Sequence, residues 1–235
     1  MPGPVALVGA GAFLQGMVAF DRDLLASVGR ARPRVALLPT AAALDGEAVF
    51  RQWIELGVAH FASLGAEVEP VMVRDRAGAD DEGAVQAIGE ADLIYLTGGR
   101  AAHLRAVLDG TRVGAAVRAA SERGATIAGC SAGAMVLASW QPEFRRRPLP
   151  WPLRWRGGLG IVGRAAVLPH YDVWPEPIVA LMALQAPRDI VVLGLDEDTA
   201  IVVHDGTWQV HGRARATVWR GRHRERYRRG DHFTL

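Results

Sequence analysis

The sequence predicts an α/β fold: a mostly parallel, doubly wound sheet with helices on both faces and short antiparallel strands at the C-terminus, in one domain over residues 1–235. Two patterns carry that prediction. Through most of the chain, short apolar β-branched runs alternate with longer segments of helical period, in units of about 30 residues that suit strand–helix–strand crossovers. After residue 198 the units shorten, and Gly or Asp-Gly turns separate brief alternating runs.

The elements follow in order. VALVGAG (5–11) is strand-like and ends in glycines, and RVALLPT (34–40) is a buried-type strand stopped by Pro39. Over 47–64, Val49, Phe50, Trp53, Ile54, Leu56, Gly57 and Phe61 recur at three- and four-residue steps, which predicts an amphipathic helix. AEVEPVMV (66–73) reads as a strand and DDEGAVQAIGEA (80–91) as a helix with acids in its first turn. DLIYLTGG (92–99) is a strand running into a loop; a helix over 113–123, the strand ATIAGC and a helix opening at Ser131 or Ala132 follow. Residues 141–158, with four prolines, five arginines and three Trp or Phe residues, break the rhythm and read as a surface excursion. A helix over 175–186 and the strand DIVVLGLDE (189–197) resume it. The runs TAIVVHDG, TWQVHG, ATVWRG and ERYRRG are expected to extend or flank the sheet.

Composition narrows the function classes. Half of the residues are hydrophobic and 22% are charged, which suits a sizeable core. A run of about 18 apolar residues is missing, so no membrane span is expected. The opening MPGPVALVGAGAF lacks a basic, small-residue-terminated leader pattern, and Cys130 is the sole cysteine; both favour a cytoplasmic, reducing setting. Lysine and asparagine are absent, and the formal charge is only +2. The segment RARATVWRGRHRERYRR (213–229) could stack on nucleic acid through Trp219 and Tyr227, but acids elsewhere cancel its field. GAGAF (9–13) lacks the third glycine and the distant acid of a dinucleotide fingerprint. Neither nucleic acid nor a cofactor is therefore expected, and no His or Cys pair has metal-ligand spacing.

The segment IAGCSAGAM (127–135) carries the chemistry. Gly129 and Gly133 bracket Ser131 in a G-x-S-x-G pattern between a strand and a helix, the signature of a nucleophile elbow. Such a turn is too tight for side chains two residues on either side. It exposes the serine hydroxyl over the helix N-terminus, with the Ala132 N–H placed for a developing oxyanion. The glycines centre on Ser131, which makes Cys130 a buried apolar neighbour. A hydroxyl needs a base, and His170 ends the strand-like IVGRAAVLPH at a loop. LGLDEDTAIVV (193–203) places Asp196, Glu197 and Asp198 at the ligand-facing end of another strand, any of which could orient that base. Asp172 is the reserve candidate.

Thr97-Gly98-Gly99, AGCSAGAM, an isolated histidine after a strand and GLDEDTAIVV together resemble the serine peptidases of the dipeptidase E and cyanophycinase family. That resemblance covers about residues 5–220. It implies a fold similar to class I glutamine amidotransferases, with serine replacing cysteine at the elbow. It further implies Ser131 as nucleophile, His170 as base, Glu197 as the acid holding the imidazole, and Gly99 with Ala132 as oxyanion donors. Gly9 and Gly11 match the glycine turn after the family's first strand. The expected activity is hydrolysis of short peptides through an acyl-enzyme. Cyanophycinases carry arginines shortly after the histidine that hold an aspartyl carboxylate, whereas here the segment is YDVWPEP. Arg100, directly after Gly99, is the candidate replacement cation. A catalytically silent ligand-binding or sensor protein on the same scaffold is the alternative, and a homodimer is the assembly left open.

Overall fold

The computed structural model of the chain describes residues 1–144 and 152–235. β1 (Val5–Val8) leads to α1 (Val18–Ser27), β2 (Arg34–Leu38) to α2 (Glu47–Ser63), and β3 (Glu67–Pro70) to α3 (Glu82–Glu90). β4 (Leu93–Leu96) precedes α4 (Ala101–Leu108) and α5 (Arg112–Glu122), and β5 (Thr126–Cys130) precedes α6 (Ala132–Leu137). Next come β6 (Ala138–Glu143), β7 (Arg154–Gly157), β8 (Val162–Pro169), α7 (Glu176–Ala183) and β9 (Val191–Leu195). The chain closes with β10 (Thr199–His204), β11 (Thr207–Gly212), β12 (Arg215–Arg220), β13 (His223–Arg228) and β14 (His232–Phe233). Local chemistry sets several boundaries. The Asp81 carboxylate, for example, accepts the Ala84 N–H at 2.8 Å and caps α3.

Among the described residues the strands form two sheets. The first runs β14-β11-β10-β1-β5-β4-β2-β3, and the second β13-β12-β9-β8-β6-β7. From β1 to β3 the first sheet is parallel, as expected, and β10, β11 and β14 extend it antiparallel. In the second sheet β8 is parallel to both β6 and β9, while β12 pairs antiparallel with β9 and β13 antiparallel with β12. The terminal strands thus divide, some extending the first sheet and some flanking the second.

The periodicity of two in each strand distributes the core. Val5 and Leu7 of β1, Ala36 and Leu38 of β2, and Ile94 and Leu96 of β4 face the cluster shared with α3–α6. The inner face of the second sheet, through Ala165, Val167, Leu193 and Leu195, closes over that same cluster. The alternate residues Ala6, Val8, Val35, Leu37 and Tyr95 face α1 and α2. α7 covers the outer face of the second sheet with Val179 and Met182 against Leu168, Val192 and Trp219. Each fully buried leucine or isoleucine contributes about 1.5–3 kcal/mol by leaving water.

Two expectations need correction. The excursion 141–158 is not wholly irregular: its two ends lie in β6 and β7, which pair from Trp140↔Gly157 to Glu143↔Arg154. β7 is the edge strand, and the ladder of β6 with β8 reaches only to Trp140, so Pro142 has no bond to lose there. The central part, 145–151, lies outside the described residues. In α2, Phe50, Gly57 and Phe61 are buried, but Val49 and Leu56 are exposed. Gly57 explains that facing: a Cβ there would lie 2.6 Å from Leu37 Cδ2, so the helix rests its glycine on β2 and turns Leu56 outward.

Candidate active site

Three strand ends meet at one edge of the first sheet. Val8 pairs with Cys130 and Leu96 with Gly129, so Gly9, Ser131 and the Thr97–Gly99 loop leave the sheet side by side. Ser131 sits at φ 51° and ψ −106°, outside the common regions for an L-residue. Such a conformation costs on the order of 1–3 kcal/mol and is held only when its surroundings enforce it. Here the Ser131 N–H donates to the Val8 carbonyl at 2.9 Å, and the Ser131 carbonyl accepts from Met135 N–H at 3.0 Å. A Cβ on Gly129 would stand 2.5 Å from the Gly133 carbonyl carbon, and one on Gly133 would strike the Leu96 carbonyl oxygen. The bracketing glycines are thus required by close backbone approach.

The second sheet supplies the other two groups. In its parallel ladder Pro169 pairs with Leu195, so the next residues, His170 and Asp196-Glu197, emerge together. His170 takes the left-handed conformation, φ 50° and ψ 42°, a region histidine tolerates better than most residues. Its Nε2 lies 3.1 Å from Ser131 Oγ, and its Nδ1 lies 2.8 Å from Glu197 Oε1. Asp172 does not take the orienting position. Its Oδ1 accepts the Glu197 backbone N–H at 3.0 Å and so steadies the turn that carries the glutamate. The other histidines are engaged elsewhere or sit on distant strands: His60 with Asp21, His103 with the Arg74 carbonyl, and His204 beside Asp205.

The three consecutive acids occupy the turn between β9 and β10 and differ in burial. Glu197 is half exposed, whereas Asp196 and Asp198 are buried rather than solvated. Asp196 Oδ2 accepts from both the backbone N–H and Nε of Arg215 at 3.2 Å, and Asp198 pairs with Arg213. Burial pushes the Asp196 carboxyl up, and Arg215 restrains the shift. Gly9 and Gly11 pack directly on this acidic turn: a Cβ on Gly9 would collide with the Asp196 carbonyl, and one on Gly11 with the Asp198 carboxylate. The Gly9 N–H also donates to the Thr199 carbonyl at 2.9 Å, extending the β1–β10 ladder to the end of that turn.

The Gly99 and Ala132 N–H groups, at the loop after β4 and the start of α6, have no protein acceptor among the described residues. Cys130 is buried, and burial pushes its thiol up to about 12, so it is not a ready thiolate. Arg100 is not brought to Ser131. Its Nε donates to Asp45 Oδ1 at 2.6 Å, and its side chain lines a separate pocket beyond Gly99 with Arg105, Gln141 and Arg156. A cleft of about 470 Å³ does open over Ser131 and His170, walled by Leu14, Gln52, Trp53 and Leu56. Those wall residues were missed, because helical period assigned Trp53 and Leu56 to the core. Among the described residues no cluster of His, Cys, Asp or Glu could hold a metal ion, and no helix is long and apolar enough to cross a membrane.

A serine on a strand–helix elbow, with an imidazole and a carboxylate aligned behind it from a second sheet, defines the class of α/β proteins built around a Ser-His-acid arrangement. Residues 6–211 match the family model of peptidase family S51, and the chain belongs to that family. It is similar to a cyanophycinase from Synechococcus elongatus, with 32% identity over 167 residues covering 67% of this chain and 51% of the relative. It is also similar to a cyanophycinase from Nostoc sp. PCC 7120, with 27% identity over 206 residues, 84% of this chain and 66% of that one. The chain thus spans only about half to two thirds of the length of these curated relatives. A peptidase from an acI-B1 actinobacterium superposes with TM-score 0.89 at 30% identity, covering 100% of this chain and 98% of the other. A candidate peptidase E from Listeria monocytogenes EGD-e shares the fold, with TM-score 0.65 at 18% identity over 91% of this chain and all of that one.

Proposed function

We propose that the protein is a serine-type peptidase that cleaves short peptides through an acyl-enzyme. The observation that carries this reading is the continuous relay from Ser131 Oγ through His170 to Glu197, at 3.1 and 2.8 Å. With its Nδ1–H donated to Glu197, the neutral imidazole keeps the Nε2 lone pair toward the serine. His170 takes the Ser131 proton as Oγ bonds to the scissile carbonyl carbon. The carbonyl oxygen becomes an oxyanion, and the Gly99 and Ala132 N–H groups are available to receive it. Collapse breaks the C–N bond, and the leaving amine takes the proton from the imidazolium. Water, deprotonated by the same imidazole, then releases the acid and regenerates Ser131. Glu197 stays ionised and stabilises the imidazolium in both halves.

A cleft of about 470 Å³ supports a short substrate, since sites of roughly 300–1,000 Å³ enclose ligands of a few residues rather than folded protein. The test is covalent labelling. A fluorophosphonate probe is expected to add its phosphonyl group to Ser131, identified by peptide mass spectrometry, and to stop dipeptide hydrolysis in the same proportion. Labelling elsewhere, or hydrolysis that survives full occupancy of Ser131, sinks the assignment.

A further inference from the structure

The wall of the cleft carries information about the substrate that the Ser-His-Glu relay does not. Leu14 and Leu56 are 58% and 46% exposed, yet both line the cavity over Ser131. Trp53 lines it with them. The position a Cβ on Gly98 would occupy is 3.3 Å from Trp53 Cη2 and 3.6 Å from Ser131 Cβ, so the indole edge reaches the side of the nucleophile. The indole is also fixed. Phe13, held at φ 66°, meets Trp53 edge-to-face at 5.9 Å, and its ring is packed in turn against His60, Phe61 and Tyr95. A bulky residue at positive φ persists only where packing over-determines it, so this wall is preformed. Of the residues lining the cleft, only His170 is ionisable near neutral pH, and it is committed to Ser131 and Glu197. No described arginine lines the cleft: beyond Gly99, Arg100, Arg105 and Arg156 pair with Asp45, Asp109 and Glu143, and behind Gly11 Arg213 pairs with Asp198.

From this we infer that the Leu14–Trp53–Leu56 wall is the specificity subsite, and that it takes a large neutral apolar side chain, aromatic or branched aliphatic, next to the scissile bond. An acidic side chain would leave water for a surface on which the described residues place no cation to meet it, which is strongly unfavourable. The inference rests on the peptidase reading, but its test is separable from it.

Two readouts are needed, each comparing Phe-Ala with Asp-Ala and Ala-Phe with Ala-Asp. For the wild type, kcat/KM is expected to favour Phe over Asp at one of the two positions by at least about tenfold, the scale a few methylenes produce in an apolar pocket. For Ser131→Ala, calorimetric binding of the same dipeptides is expected to show the same order without turnover. Trp53→Phe should keep the preference, and Trp53→Ala should lose most of it. Leu56→Arg changes an already exposed residue and adds a cation to the wall, so it should shift the preference toward Asp. A wild type that binds or turns over Asp as well as Phe at both positions overturns the inference. So does a preference untouched by Leu56→Arg in a protein with an unaltered melting curve. A wild type that hydrolyses none of the four, while Ser131→Ala binds Phe over Asp, would sink the peptidase reading and leave the subsite standing.

Discussion

The molecule contains two histidine–carboxylate pairs with the same 2.8 Å spacing and opposite surroundings. In His60–Asp21 the side chains are 7% and 1% exposed, while in His170–Glu197 they are 41% and 51% exposed. Burial pushes the Asp21 carboxyl up, His60 pulls against it, and Asp21 Oδ1 has no hydrogen-bond partner among the described residues. That pair sits under Phe13, beneath the wall of the cleft, where no substrate can reach. The exposed pair has a serine in line and an open face. A histidine–carboxylate contact therefore says little about function by itself. Access, and a serine hydroxyl at the far nitrogen, separate the pair proposed to react from the packing one.

Substitutions can break that comparison, beginning with the largest effect. Ser131→Ala should lower kcat by about 10⁴-fold or more, with unchanged circular dichroism and melting temperature, since among the described residues the hydroxyl bonds to His170 alone. Retention of more than a tenth of the activity would mean the chemistry is elsewhere. Glu197→Gln should lower kcat by about 10²–10³-fold, toward the shallow end of triad precedent because water reaches this carboxylate. Stability should be unaffected. Equal activity in the two proteins would leave the imidazole oriented by something other than the glutamate.

His60→Ala should do the reverse. It strands a buried carboxylate, so denaturant titration should show a loss of about 3 kcal/mol, with kcat within a few-fold of wild type. The pH dependence has a definite sign. The folded Asp21 carboxyl holds its proton above its ordinary 3.8, so its contribution favours folding below that value and is lost as pH rises through the folded pKa. The His60→Ala defect should accordingly shrink on acidification toward pH 3.8; a defect that grows there would mean the carboxyl is not the stranded group. The smallest effect is expected at Asp172. Removing its carboxylate in Asp172→Ala frees the Glu197 N–H and should lower kcat only a few-fold, whereas Asp172→Asn keeps an acceptor and should match wild type.

Much of this was legible in the sequence where a requirement is local. Gly129 and Gly133 had to be small because backbone passes within contact of each, and that requirement travels with the motif. The choice of Glu197 over Asp196 and Asp198 came from the family resemblance, since the three acids occupy a turn rather than a regular strand. What was not legible depends on partners distant in sequence. The two aspartates are buried because Arg215 and Arg213, on and before β12, come back to meet them. The division into two sheets is hidden because β9 reads like any other apolar strand, and only its pairing with β8 assigns it. α2 shows the same limit. Its apolar stripe is wide enough for several facings, and contact between Gly57 and Leu37 selects the one that delivers Trp53 and Leu56 to the cleft.

Ser131 hangs from one sheet and His170 and Glu197 from another, and near the site the turn 196–198 carries the chain from β9 of the second sheet into β10 of the first. The proposed hydrolysis would thus be a gauge of the gap between two slabs. A slip of an ångström, too small to change the secondary structure or expose the core, would already lift Ser131 Oγ off His170 Nε2. On heating or in mild denaturant the protein should fall silent while still folded, so its working range is set by the stiffness of that joint before the depth of its core.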